Sequence, residues 1–361
     1  MRPNDRLRFT AIEGARAILC FWVFFGHALQ ASGFVESDLW WPLDVVGTPA
    51  QGVVGFTIVS GFVITHLITK AQEPFGLYIW RRFLRLFPLM AFCLLAVLAI
   101  QLYDPRILAF DKQYASAYIV THATMLHGVL PNEILPASAT AILGPAWSIS
   151  LEWQFYLVAP VLILALFSER YAVFAAVVVF ALIAAPDTWE LFGRTFTFPH
   201  GAFLPTSLTF FLIGIVTYRM GEHIRALGAL SLPLCVLTVI LVFGVTRSYP
   251  LAIWSAVLLA MFNSAALNSF FANRTLVYLG QISYSVYLIH WIVISCLHRW
   301  AIRDHFESGT WAFFLALTVP ALLITVSISA LTYRFIERPF VRFGKSGTDG
   351  SKRTTAAGAS A

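Results

Sequence analysis

The sequence predicts an all-α integral membrane protein, a bundle of about ten transmembrane helices, on three observations. Hydrophobic residues make up 59% of the 361-residue chain and charged residues only 12%, against about 25% charged in soluble domains. Apolar runs of about 18–25 residues recur, each long enough to cross a hydrocarbon core of roughly 30 Å as a helix. The period-2 alternation of barrel strands is missing, and backbone amides in lipid must be satisfied within the segment, which leaves helices.

The expected spans lie at 11–31, 50–69, 83–102, 144–167, 171–186, 202–220, 229–246, 249–267, 278–298 and 311–335, the fifth being short. An amphipathic piece around 114–127 adds a half-helix outside that count. Arg2, Arg6 and Arg8 precede the first run as in a signal peptide, but Glu13 and Arg16 interrupt its apolar core and no small-residue cleavage site follows. It reads as a retained span. Cys20, Cys93, Cys235 and Cys296 fall in four different runs without metal-like spacing, as small core hydrophobes do.

With the N-terminus placed in the cytoplasm, 18 Lys and Arg residues fall on the inner side and 6 on the outer. That split predicts both termini inside, by the positive-inside rule. The net charge of +6 then points to membrane lipids and calls for no nucleic-acid partner. The longest connection, 103–143, falls outside and carries Asp104, Asp111, His122, His127 and Glu133, as a lid or acceptor-binding surface would. Residues 1–343 form the transmembrane domain, and 344–361, rich in Ser, Gly, Ala and Thr, a disordered cytoplasmic tail. No internal repeat of the secondary-transporter kind is evident.

Ionisable residues inside these runs are costly and need a partner, a wet cavity or a task. Arg16 and His27 are eleven residues apart in the first run. At 100° per residue they share one face, about 16 Å apart along the axis. An imidazole there can take a proton from a hydroxyl; a packing histidine with a satisfied hydrogen bond is the commoner fate of a lone His. Arg82 and Arg85, in RRFLRLFP, are neighbours at i and i+3 on the inner boundary. Their guanidinium forks suit phosphate groups, and a positive-inside anchor explains them equally well.

In WSISLEWQFYL, Ser148, Glu152 and Tyr156 share a face, so Glu152 is placed to orient and stabilise a charged His27 as the acid of a dyad. Ser283, Tyr287 and His290 align in GQISYSVYLIH, and Ser60-Gly61 in IVSGFVIT permits close helix packing. Glu337, in RFIERPF, reads as a partner for Arg334 or Arg338.

In order and spacing, IEGARA with FFGHA, IVSGFVIT, RRFLRLFP, WSISLEWQFYL, ISYSVYLIH and FIERPF resemble the signature segments of the membrane acyltransferase-3 family, across residues 11–340. Its members typically O-acetylate bacterial surface glycans. The resemblance implies a ten-helix bundle in the inner membrane and acetyl transfer from cytoplasmic acetyl-CoA to a glycan or lipid-linked saccharide, with no metal. It maps the family's Arg-x10-His element onto Arg16 and His27, its Arg-x-x-Arg element onto Arg82 and Arg85, and its glutamate onto Glu152. Glu13, Ala15 and Ala17 depart from the more usual LDGLRG pattern. Some relatives carry an appended hydrolase-like domain, for which this chain is expected to be too short.

On that reading Arg82 and Arg85, with Arg16, hold the nucleotide end of the donor, His27 deprotonates the acceptor and Glu152 stabilises the imidazolium. Two alternatives stay open. One is a proton-coupled transporter using Arg16, His27 and Glu152 as a relay; the other is an acyltransferase acting on a macrolide-type small molecule.

Overall fold

The computed structural model describes residues 3–34, 39–40, 43, 47–71, 73–107, 110–199, 201–226, 236–237, 240, 243 and 249–345. Most of the expected span 229–246 and the tail beyond 345 lie outside the described residues, as does Cys235. Among the described residues, six helical segments are long and apolar enough to cross a membrane: Phe9–Ala31, Pro49–Lys70, Phe75–Tyr103, Gly144–Leu166, Ser283–Ile302 and Trp311–Lys345. The chain is thus a multi-pass helical protein, and these six correspond to expected spans.

Helix α1 (Pro3–Ala31) runs through the middle of the bundle. Against it pack α2 (Pro49–Ala71), α8 (Tyr249–Asn263), α9 (Ala265–Phe271), α10 (Arg274–Gln281), α11 (Ser283–Leu297) and α12 (Trp311–Thr332). The remaining helices are α3 (Phe75–Tyr103), α4 (Ala115–Ala123), α5 (Trp147–Leu166), α6 (Ala172–Ile183) and α7 (Leu204–Ala226). Helix α4 occupies the expected amphipathic piece.

Three expected spans change shape. Helix α6 has 12 residues, about 18 Å of helix, and falls short of a 30 Å core. It is followed by a β-hairpin, β1 (Thr188–Leu191) against β2 (Arg194–Thr197), turning on Phe192 and Gly193, both at positive φ. The run 249–267 bends by 108° between Met261 and Ala265, because the Ser264 side chain accepts from Leu267 N–H and starts a new helix. The run 278–298 begins as α10 and restarts at Ser283, after Ile282 interrupts it.

Close backbone approaches hold α1 and α2 in place. A Cβ on Gly280 would lie 1.7 Å from the Glu13 carbonyl oxygen, and one on Gly14 1.8 Å from that of Phe271. Between α2 and α7, a Cβ on Gly61 would lie 2.2 Å from Phe211 O and one on Gly214 2.1 Å from Ile58 O. Only glycine fits there. Around these contacts, Ala15, Ala17, Leu19, Ile58 and Phe211 are almost completely buried.

Residues 104–107 and 110–146 form a cap. The Asp104 carboxylate accepts from Arg106 Nε at 2.9 Å, which holds it well below the usual carboxylate range. Gly128 N–H donates to Ser150 Oγ at 2.9 Å, and Thr197 N–H to Glu133 Oε2 at 2.6 Å, tying the cap to α5 and the hairpin. His122 and His127 are fully buried and stack at 4.0 Å. They are part of the packing inside the loop, whereas the sequence placed them on a binding surface. Burial pushes His122 well down and His127 down to about 4.

Two outcomes are expected. Gly280→Ala forces α10 off α1 and should cost roughly 1–3 kcal/mol, read as a lower melting temperature in detergent; Gly76→Ala, with nothing within 4 Å of the new methyl, should leave it unchanged. Acid should loosen the cap. An unfolded His127 gains its proton near 6.5 and the folded one near 4, so stability is full above about pH 6.5 and falls towards pH 4, by on the order of 3 kcal/mol. Hydrogen-exchange protection of 115–143, corrected for intrinsic rates, should drop across that window.

Candidate functional site

A cavity of about 450 Å³ opens between α1, α2, α3, α5, α7, α10 and α11. Four of the five residues singled out by sequence lie on its wall: Arg16, Arg82, Arg85 and Glu152. The i, i+3 spacing turns both α3 arginines to one side. Arg81, beside them, faces elsewhere, donating to Glu73 and, at 3.0 Å, to the Gly344 carbonyl. The three arginines thus divide into one clamp and a cavity-lining pair.

The wall carries three guanidinium groups and two carboxylates. Arg16 Nη1 pairs with Glu13 at 3.6 Å, within one turn of α1. Arg82 sits over the Tyr156 ring, 5.8 Å from its centroid. Its buried Nε, and the buried Oγ of Ser283, also on the cavity wall, have no hydrogen-bond partner among the described residues. Buried donors are seldom left so. Both are open to an anionic or polar ligand in the cavity.

Glu152 has different partners from the expected ones. Its Oε1 accepts from the Tyr156 hydroxyl one turn on, and from Ser60 Oγ at 3.3 Å. His27 instead meets His290: His27 Nδ1 and His290 Nε2 are 2.9 Å apart, with the rings near parallel and their centroids at 5.1 Å. The expected His27–Glu152 dyad is therefore not formed. Glu152 lines the cavity with Ser60 and Tyr156, while His27, three turns beyond Arg16 on α1, lies outside the cavity wall. Tyr287 touches both zones. It lines the cavity, shares a 2.7 Å hydrogen bond with Ser148 Oγ, and its ring centroid is 6.0 Å from that of His290.

Sequence reasoning gave Glu337 the wrong partners. It is 4% exposed, and its carboxylate accepts from Ser285, whose Oγ also accepts from Thr332 at 3.0 Å. It lies within electrostatic reach of Arg85 and Arg16, so this carboxylate backs the arginine cluster instead of pairing with Arg334 or Arg338. The signal was the near-absence of other acids in the last run. Among the described residues, no group of three or more His, Cys, Asp or Glu stands close enough to hold a metal ion.

Comparison with known proteins gives the lineage. The acyltransferase domain profile matches residues 9–330. The O-acetyltransferase OatA of Staphylococcus aureus is 23% identical over 334 residues, covering 81% of this chain and 53% of its own length. A Staphylococcus aureus strain COL protein named as a candidate O-acetyltransferase is 24% identical over 328 residues, with the same coverage. The acyltransferase MdmB of Streptomyces mycarofaciens is 25% identical over 379 residues, 94% of this chain and 93% of its own. The chain therefore spans about half the length of the staphylococcal relatives it matches. No solved structure matches it. With residues 9–330 matched and a bundle of long apolar helices around a charged cavity, the chain belongs to the acyltransferase-3 family of multi-pass membrane proteins.

Proposed function

We propose that this protein is an inner-membrane O-acyltransferase with both termini cytoplasmic and about ten spans. It moves an acetyl group from acetyl-CoA to a hydroxyl of a bacterial surface or exported glycan, or of its lipid-linked precursor. The observation that carries this is the gathering of Arg16, Arg82 and Arg85 on one cavity, with Arg82 Nε and Ser283 Oγ left without partners. Guanidinium groups bind phosphate oxygens in charge-assisted pairs. The wall beyond them, with Val53, Phe56, Ile64 and Phe211, suits an uncharged arm.

In this reading the phosphates rest on Arg82 and Arg85, aided by Arg16, and the thioester lies towards Tyr287. His27 takes the proton of the acceptor hydroxyl as its oxygen attacks the thioester carbon. The carbon–oxygen bond forms, the carbon–sulfur bond breaks, and the proton returns to the leaving thiolate. Glu152 holds Tyr156 and Ser60 in place along the donor path. Family membership favours this chemistry over the transporter reading. The apolar wall also suits a macrolide-type acceptor, and mass analysis of glycans against small molecules in a deletion strain divides the two.

Acetyl-CoA consumption by purified protein in lipid nanodiscs, with acceptor supplied, tests the reading. His27→Ala should lower turnover roughly 10²–10⁴-fold with little change in melting temperature; full activity would remove the assignment. Arg82→Ala removes a charged hydrogen-bonding contact worth about 1.5–3 kcal/mol, so the Kd for CoA should rise roughly tenfold or more. An unchanged Kd in a titration would make Arg82 an anchor at the membrane boundary.

A further inference from the structure

His290 is 1% exposed, and both its ring nitrogens are engaged. Nδ1 lies 3.1 Å from the carbonyl oxygen of Val286, one turn back on α11. A carbonyl only accepts, so this nitrogen carries the hydrogen. Nε2 lies 2.9 Å from His27 Nδ1. To donate there as well, His290 would have to be an imidazolium, buried among ring neighbours Phe24, His27 and Tyr287, none of them acidic. An unpaired charge in such surroundings is costly.

Neutral His290 therefore offers a lone pair at Nε2. His27 must then supply the hydrogen from Nδ1, and the lone pair of His27 is left on its own Nε2. Unlike His290, His27 is only partly buried, so the pair has one enclosed member and one with open surface. We propose that His290 is the positioning residue of His27: the chain Val286 carbonyl, His290, His27 fixes the tautomer of His27 and makes Nε2 the atom that takes the acceptor's proton. This rests on the reading of His27 as the base. The near-coplanar rings of His27 and His290, and the edge contact of His27 with Trp291 at 5.0 Å, hold the ring plane as well. The arrangement does for an imidazole what a hydrogen-bonded carboxylate does in a hydrolytic triad, but with a neutral partner.

The test compares His290→Gln, whose side-chain oxygen can still accept from His27 Nδ1, with His290→Met, which removes the acceptor at similar volume. In nanodiscs, His290→Met should lose roughly 10²-fold or more in kcat, with the Kd for CoA unchanged and the acidic limb of the kcat–pH profile displaced. His290→Gln should stay within about tenfold of the parent. Full activity in His290→Met overturns the proposal, and so does equal damage in both variants at equal melting temperature. Where His290→Met fails to accumulate, nitrogen NMR of the unmutated protein with labelled histidine decides. The His27 signals, identified by their loss in His27→Ala, should show hydrogen on Nδ1; hydrogen on Nε2 overturns the assignment. Full activity in His27→Ala would sink the base reading alone and leave that tautomer measurement standing.

Discussion

Direct backbone contact between helices, at Gly14 against Phe271, at Gly280 against Glu13 and at Gly61 with Gly214, sets the faces that the polar residues of this bundle present. Helices in lipid gain no hydrophobic free energy by meeting, so close packing and interhelical polar contacts decide their association. Here the closest approaches fall beside the polar residues. Gly14 adjoins Glu13 and lies two positions from Arg16; Gly61 adjoins Ser60. A glycine that touches the neighbouring helix fixes its own face outward from the site. Its sequence neighbours, about 100° around the helix, are thereby directed towards the cavity. The carbonyl of Glu13 sits against α10 while its side chain meets Arg16 at the cavity wall.

The same contacts explain how the bundle tolerates its charges. A lone cation at the middle of a span costs roughly 2.5–3.5 kcal/mol on insertion scales. Arg16, Arg82 and Arg85 share one cavity, with Glu13 and Glu152 on its wall and Glu337 behind it. Glu337 is held in turn by Ser285 and Thr332, from α11 and α12. Carboxylates from the first, fourth and last long apolar segments therefore converge on guanidinium groups from the first and third. That convergence links helices distant in sequence around one polar centre.

What could be read from the sequence alone follows from the range of each interaction. Apolar runs and the 3.6-residue period are local, so six spans and the shared faces of Arg82 with Arg85 and of Glu152 with Tyr156 were legible. Partner choice is not local. The carboxylate of Glu152 and the imidazole of His27 were joined by chemical analogy, but only the assembled bundle sets Glu152 against Ser60 and His27 against His290. Similarly, Ser264 has no visible consequence in a hydropathy run, yet its side chain caps a new helix and bends the chain by 108°. His122 and His127 misled because polar residues in a long loop suggest a surface; their stacking inside that loop buries them completely.

On the proposed mechanism, the separation of Arg16, with the arginine cluster, from the histidine pair answers a problem of charge. Phosphate recognition needs fixed cations, and proton abstraction needs a neutral imidazole with a defined lone pair. Placed side by side, guanidinium groups would oppose the positive charge that develops on the imidazole as it takes a proton. Three turns of helix, about 16 Å, keep these demands apart while a single rigid element carries both. Glu152 remains with the cations, where its hydrogen bonds to Tyr156 and Ser60 are satisfied. Orienting the distant imidazole then falls to a neutral group, and His290 meets that need without bringing a second buried ion, with its desolvation cost, into the bundle.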